Sequence, residues 1–356
     1  MPIETIENLR SHIELAIRVE LSTIPPYLFA MYSIEDHGSD AAKLIRSIVA
    51  EEMLHAALAT NLLLAVGGAP SYGDRSYFPT YPMGLPHHRP PLPLELASCS
   101  METISGVFMR IEQPELHDAP PEPDDYESLG QFYHALEVGL REMSERLDLF
   151  ENPQTESQMA NPAYYKPVTF DAEDSGGLLL IDDLASAIDA IEIIIHQGEG
   201  LSDNRWVDPA HQELTHFHKL VQIYEGRSPL GRVVPVRRNP TTGGYPEEIR
   251  VVSDLFNALY RGVYLTLDQI FSGSAEQHRA VGLLYVVMGD LLSRTARFLV
   301  EQELEDGTFA APTFEYYEFS GDSAVDEVRL LADRAATQFP DMISVRDAIE
   351  GLSLMF

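Results

Sequence analysis

Apolar residues recur along this chain three or four positions apart, which is the spacing of α-helices. The first stripe predicts a helix from Ile6 to about Ile34. The second predicts a helix that begins at Asp40, as its N-cap, and ends at the Gly67-Gly68 pair. β alternation is limited to a short ribbon at RVVPVRR, so the predicted fold class is all-α. The other predicted helices cover about 100–112, 126–149, 182–200, 209–225, 246–271, 275–303, 323–338 and 342–352.

Charged residues interrupt three of these apolar stripes. Glu20 occupies an apolar position of the first helix, and Glu52 and His55 do the same in the second, within the run EEMLH. Glu199 closes the stripe of the helix over 182–200. Because an ionised carboxylate in an apolar interior is unfavourable unless it is paired, these side chains require a partner of opposite charge.

The spacing of these residues indicates what the partner is. Glu52/His55 and Glu213/His216 form two Glu-x-x-His pairs, each on one helix face, and each follows a helix with one glutamate in its stripe. This order is the ligand pattern of a ferritin-like di-iron or di-manganese carboxylate bundle. The predicted metal ligands are Glu20, Glu52, His55, Glu199, Glu213 and His216.

Position along the helices supports this ligand set. Glu20 lies about 14 residues before the end of its helix and Glu52 about 12 after the start of the next, a difference of roughly 3 Å along the axis. Glu199 and Glu213 also lie at similar distances from their connecting turn, whereas Glu192 misses that level by nearly two turns. The ligands are therefore expected to meet at one level of an antiparallel bundle.

Charge and ligand chemistry favour two iron ions, with manganese as the alternative. Four carboxylates carry four negative charges, which two divalent ions neutralise. Cys99 is the only cysteine, so neither an internal disulfide nor a thiolate metal site is available. Oxygen and imidazole ligands suit iron or manganese, and no haem is predicted in this chain.

Several neighbouring residues have two interpretations. Glu51, His196 and Tyr27 are candidates for hydrogen bonds to the metal ligands; alternatively, Glu51 faces solvent and Tyr27 belongs to the core. The Glu-x-x-His pairs themselves have a metal-free alternative, in which they are buried and hydrogen-bonded to protein groups. Pro25-Pro26 is expected to kink the first helix beside Glu20 and to open a route for substrate or dioxygen.

Two further regions surround the predicted bundle. Residues 69–125 contain 11 of the 24 prolines together with many aromatic residues, which predicts an ordered arm packed over the helices. We expect residues 1–228 to form the bundle with this arm inserted. Residues 229–356 are expected to add a helical extension that belongs to the same compact unit, because no flexible linker precedes them.

Composition excludes several classes of partner. Asp and Glu number 56 against 24 Lys and Arg, and the formal charge of −32 repels nucleic acids and anionic membranes. The N-terminus lacks the pattern of a secretory signal, and no run reaches the length of a membrane span. The expected location is the cytoplasm.

Short motifs in a fixed order resemble a known family. VELSTIPPYLFAMYSI, IVAEEMLHAALATNLLLAVGGAP, FPTYPMGLP, FMRIEQPE, QGEG and ELTHFHKL are similar to the bacterial ferritin-like domain found in iminophenylpyruvate dimer synthase of the violacein pathway, in chromopyrrolate synthases and in stand-alone proteins. The resemblance spans about residues 5–315. It implies a ferritin-like bundle with the same six ligands. The pigment-pathway synthases are far longer, so their coupling reaction is not transferred.

The leading functional hypothesis is a di-iron oxidase or oxygenase that activates O₂ and acts on a small organic metabolite in secondary metabolism, with an external electron donor. The alternatives are a manganese catalase-like peroxide enzyme, an iron-binding or ferroxidase protein without an organic substrate, and a metal-free interaction protein. The sequence leaves the substrate and the oligomeric state open.

Overall fold

The computed structural model describes residues 3–114, 119–165, 176–198, 214–321 and 323–352. Its secondary structure is almost entirely helical, which confirms the all-α prediction. The helices are α1 (Ile6–Ser33), α2 (Asp40–Ala65), α3 (Met101–Thr103), α4 (Met109–Ile111), α5 (Leu129–Ser144), α6 (Leu184–Gly198), α7 (His216–Tyr224), α8 (Glu247–Ile270), α9 (Gln277–Val286), α10 (Ser293–Val300), α11 (Ala324–Gln338) and α12 (Ile343–Gly351). Two π-helical segments, π1 (Ile104–Phe108) and π2 (Val287–Leu292), join α3 to α4 and α9 to α10.

The bundle is built on α1 and α2, which pack along each other as antiparallel neighbours, and α5, α6 and α7 pack around this pair. Side-chain caps begin both helices: the Thr5 hydroxyl accepts from the Asn8 amide, and the Ser39 hydroxyl accepts from the Ala42 amide. The expected N-cap at Asp40 is therefore wrong by one residue. Asp40 lies instead in the first turn, where its negative charge interacts favourably with the positive end of the helix dipole.

The ribbon predicted at RVVPVRR is wrong, because this segment does not form paired strands. The segment RVVPVRR forms only isolated bridges, from Val233 to Ile34 and from Val236 to Phe309. The paired strands in the described chain are the two-residue segments β1 (Met83–Gly84) and β2 (Pro93–Leu94), which form an antiparallel ribbon within the proline-rich arm. The valines at 233, 234 and 236 thus belong to an extended segment, which the bridge from Val233 to Ile34 ties to the bundle.

The arm packs over α1 and supplies a hydrogen-bond donor that the helix lacks. Pro26 has no N–H, so the carbonyl of Ser22 loses its usual helical partner. The Tyr81 hydroxyl of the arm donates to that carbonyl at 2.7 Å. The helix continues through Pro25-Pro26, from Ile6 to Ser33. The expected access route beside Glu20 is therefore covered at Ser22 by an arm tyrosine.

The C-terminal helices form a second layer against the bundle. α8 packs against α9, α10 and α11, and α10 reaches α1. The buried hydrophobic residues of the arm, the bundle and this layer form one connected cluster. The division into residues 1–228 and 229–356 stays a prediction.

One helix among the described residues, Asp40–Ala65, is long and apolar enough to cross a membrane by length and composition. However, 89% of its most apolar window is buried inside the protein. The apolar character of α2 is accounted for by its central place in the bundle.

The single cysteine provides a test of this packing. Cys99 is 2% exposed, and burial raises the pKa of its thiol to about 12. Because the thiolate is the reactive form, native protein at pH 8 is expected to resist labelling by a chromogenic disulfide reagent. The same protein in concentrated guanidinium is expected to react with one thiol per chain. Fast stoichiometric labelling of the native protein would contradict the buried position of this residue.

Candidate metal centre

The first group of candidate ligands comes from α1 and α2. Glu20, Glu52 and His55 are each at most 2% exposed, and their ligand atoms lie within 4.8 Å of one another. The His55 Nδ1 atom is 3.6 Å from Glu20 Oε2 and 3.8 Å from Glu52 Oε1. The structure therefore brings together three of the six predicted ligands, around a space of the size that one metal ion needs.

A second group shares Glu52 with the first. Its other members are Glu112 and His216, which are equally buried. The His216 Nδ1 atom is 3.0 Å from Glu52 Oε1 and 3.2 Å from Glu112 Oε2. The rings of His55 and His216 are stacked, with centroids 5.3 Å apart. Both histidines face the same oxygen of Glu52, Oε1, so this carboxylate borders two neighbouring metal positions.

Glu112 was absent from the predicted ligands. It follows α4 within the segment that was interpreted as a covering arm. A signal was present, because Ile104, Phe108 and Glu112 are spaced four residues apart and all are buried. The rule that identified Glu20, an acidic residue in an apolar stripe, identifies Glu112 as well when it is applied to this short helix.

Two predicted ligands, Glu199 and Glu213, lie outside the described residues, so their roles stay predictions. The last residue of α6 does lie beside the second group. A Cβ atom added to Gly198 would lie 3.6 Å from Glu112 Oε2. The C-terminal end of α6 thus borders the second group.

A hydroxyl group donates a hydrogen bond to each of the three carboxylates in the two groups. Tyr133 donates to Glu20, Thr23 donates to Glu52 at 2.5 Å, and Tyr27 donates to Glu112. Burial raises the pKa of Tyr27 and of Tyr133 well above the usual range, so both phenols stay protonated and remain donors. These bonds hold the carboxylates in place within the centre. Tyr27 is fully buried and contacts Glu112, and its role beside a metal ligand stays a prediction.

The two histidines are oriented by partners on their far side. The His55 Nε2 atom is 2.9 Å from the side-chain oxygen of Gln197 on α6. An amide oxygen only accepts, so Nε2 of His55 carries the proton and Nδ1 presents a lone pair to the first group. The α6 contact is made by Gln197, which is next to the predicted His196. A role for His196 stays a prediction.

The second histidine is held by an ion pair. The His216 Nε2 atom is 2.8 Å from Glu51 Oε2, and the Lys219 ammonium donates to the same carboxylate. All three residues are buried, so Glu51 does not face solvent. The Glu51 carboxylate lies beside Nε2 of His216, and Nδ1 of the same ring faces Glu52 and Glu112. The contact of Glu51 with a metal ligand stays a prediction.

The electrostatics of the centre favour bound cations. Burial raises the pKa of Glu20 to about 7, and burial together with the charges of Glu112 and Glu20 raises that of Glu52 to about 7. Burial alone lowers the pKa of His216, but the surrounding carboxylates, Glu112 foremost, hold it well above the usual range. The ionised forms of these buried carboxyl groups are therefore unfavourable unless a nearby positive charge stabilises them. Oxygen and imidazole ligands, without sulfur, fit iron or manganese ions.

Comparison with known proteins identifies the class. The family model described as Ferritin-like matches residues 13–225, more than half of the chain, and the chain belongs to this family. A crystal structure of a ferritin-like protein from Caulobacter vibrioides matches with a TM-score of 0.58 and 27% identity, and covers 82% of this chain and 96% of that one. This confirms the ferritin-like architecture and the resemblance identified from the motifs.

Two curated relatives are enzymes by name. Dichlorochromopyrrolate synthase of Lentzea aerocolonigenes is 25% identical over 88% of this chain and 36% of its own length. The 2-imino-3-(indol-3-yl)propanoate dimerase of Chromobacterium violaceum is 25% identical over 78% of this chain and 29% of its own. This chain therefore spans about a third of the length of the relatives that it matches. By their names, both relatives act on organic compounds.

Proposed function

We propose that this protein is a di-metal carboxylate enzyme, with iron as the metal, that uses O₂ to oxidise a small organic metabolite. The observation that carries the proposal is Glu52, which belongs to two buried groups of oxygen and nitrogen ligands at once. The named relatives support an organic substrate, because both are enzymes of that kind. Their coupling reaction is not part of the proposal, since most of their length has no counterpart in this chain.

The residues of the centre divide into ligands and positioning groups. Glu20, Glu52 and His55 would hold one ion, and Glu52, Glu112 and His216 would hold the other. When bound, an iron pair supplies dioxygen binding and electron transfer to or from the substrate. Glu199 and Glu213 remain in the proposed ligand set from the sequence.

The surrounding protein keeps these ligands ready for metal. The hydroxyls of Tyr133, Thr23 and Tyr27 fix the carboxylates, Gln197 fixes the tautomer of His55, and Glu51 lies 2.8 Å from Nε2 of His216. Burial excludes bulk water, which protects a reactive centre from side reactions. An external electron donor and a small-molecule substrate complete the proposal.

Metal content of the natively purified protein tests this function. Elemental mass spectrometry is expected to find about two irons per chain. Anaerobic loading with Fe(II) followed by O₂ is expected to give an O₂-dependent change in the visible spectrum and measurable O₂ consumption. Protein that neither retains nor takes up metal would overturn the proposal. Manganese with oxygen release from peroxide would favour the catalase-like alternative, and a very large particle in gel filtration would favour iron storage.

A further inference from the structure

A large cavity lies away from the metal ligands, between the bundle and the C-terminal layer. Its volume is about 250 Å³. Leu21 and Leu28 of α1 and Met53 of α2 form one wall. The opposite wall belongs to α8, α9 and π2, with Leu267 and Met288 among its residues. The C-terminal helices therefore enclose a space against the bundle that neither part forms alone.

The lining of this cavity is apolar and uncharged. Among the described residues, its walls consist of Ala, Val, Leu, Ile, Met, Phe and Tyr side chains. Within that part of the chain, the lining contains no carboxylate, ammonium or guanidinium group. Because transfer of an ionised group to such surroundings is strongly unfavourable, the cavity favours a neutral molecule over a charged one.

Aromatic rings give the walls a definite shape. Tyr72 and Phe271 are stacked, with ring centroids 5.8 Å apart, whereas Tyr260 and Phe314 meet edge to face at 5.1 Å. The walls thus offer both ring faces and ring edges, which are the surfaces that another aromatic ring packs against. A flat aromatic molecule fits such a lining better than a bulky aliphatic one.

The volume of the cavity limits the size of the molecule that it can bind. A dry apolar cavity of about 150 Å³ in a protein core binds a single benzene ring. A cavity of about 250 Å³ is larger by roughly the volume that a second fused ring needs. A bicyclic aromatic molecule therefore matches the space.

Tyrosine hydroxyls are the polar groups of the lining, and two of them lie near each other. The hydroxyls of Tyr260 and Tyr264 are 3.4 Å apart, which is longer than the usual distance for a hydroxyl pair. A weakly bonded pair of this kind can bond to a neutral polar group of a ligand, such as a hydroxyl or a ring N–H.

The edge of the cavity reaches the surface at Tyr285. This residue is 41% exposed and also lines the cavity, and its hydroxyl donates to the carbonyl of Tyr164. It lies two residues before π2, and π-helical turns are frequent at functional sites. Tyr285 thus marks a mouth through which a small molecule can enter.

We propose that this cavity is a binding site for one neutral, flat, bicyclic aromatic molecule. It shares the α1–α2 wall with the metal centre: Leu21 and Met53 directly follow Glu20 and Glu52, and Ile24 and Ala56 lie about one turn after these glutamates. Among the described residues, however, no candidate metal ligand lines the cavity. Binding in the cavity therefore requires the packed C-terminal layer and does not require a metal.

A matched pair of probes tests this site. 2-Naphthol has two fused rings and a hydroxyl, whereas 2-naphthoate has the same rings with a charged carboxylate. Titration of the full-length protein, followed by calorimetry, is expected to show saturable binding of one 2-naphthol per chain. Affinity for 2-naphthoate is expected to be at least tenfold weaker, since its charge would be buried. Absence of saturable 2-naphthol binding, or equal affinity for the two probes, would overturn the proposal.

Substitutions in the lining test whether 2-naphthol binds in this cavity. Leu267→Phe and Met288→Phe each add a ring to a partly buried cavity position and are expected to weaken 2-naphthol binding at least tenfold. Leu330→Phe makes the same kind of change at a position that is 58% exposed, and is expected to bind as the wild type does. Two folded filling variants with unchanged affinity would refute the location. Glu52→Ala is expected to retain 2-naphthol binding, so failure of the metal centre and failure of this site are distinguishable.

Discussion

Replacing Glu52 by alanine is expected to remove both metal ions, and with them any O₂-dependent activity. Glu52 contributes an oxygen to each of the two buried ligand groups, so its loss leaves two ligands in each. Glu112→Ala affects only the second group and is expected to leave about one ion per chain. Elemental mass spectrometry after loading with Fe(II) and removal of free metal measures both results.

The control for this pair of variants lies on α6. Glu192 is exposed, and Glu192→Ala changes the net charge by the same amount as Glu52→Ala. It is expected to retain about two ions per chain. Full metal content in Glu52→Ala would show that this carboxylate is not a ligand. Equal losses in Glu112→Ala and Glu52→Ala would contradict two separable groups.

Replacing Lys219 by methionine is expected to lower the free energy of unfolding of the metal-free protein by about 3–5 kcal/mol. Lys219 and Glu51 are both buried and paired, so the variant leaves the Glu51 carboxylate in the interior without its ammonium partner. His216 also lies 2.8 Å from Glu51, but it faces Glu52 and Glu112 as well, so its charge is shared among three carboxylates. Urea denaturation followed by circular dichroism measures the change.

A double variant that also removes the charge of Glu51 is the matched comparison for Lys219→Met. The double variant Lys219→Met/Glu51→Gln removes the ammonium and the carboxylate together, so neither charge of this pair remains buried without the other. It is therefore expected to recover most of the lost stability. Lys43→Met breaks a partly exposed pair with Asp40 and is expected to change the free energy of unfolding by less than about 1 kcal/mol. A loss below about 1 kcal/mol in Lys219→Met would show that the ammonium is not needed to balance Glu51.

Helical periodicity predicted the elements that hold the centre with little error. The stripes of α1 and α2 gave their bounds to within a few residues, and Glu20, Glu52 and His55 were identified because each occupies an apolar position of its stripe. Periodicity is a local property, and these two helices are neighbours in the chain. Their meeting therefore follows from the sequence pattern and a short connection.

Contacts between distant segments were not predictable in the same way. Glu112 reaches the centre because the arm folds back over the bundle, and its partner Tyr27 is 85 positions away in the chain. The sequence pattern pointed to His196 and not to Gln197, because the rotation of α6 about its axis is set by packing against α2 and α5. One position of rotation, about 100°, decides which side chain meets His55.

The sequence by itself determined the helical fold, the family and a set of acidic and imidazole residues that an apolar interior tolerates only with a counter-charge. These follow from residue type and short-range spacing. Tertiary structure alone decided that Glu52 is shared by two ligand groups, that Lys219 and Glu51 position His216, and that the C-terminal helices enclose an aromatic cavity. Each of these depends on the relative rotation and distance of elements far apart in the chain, which local periodicity does not specify.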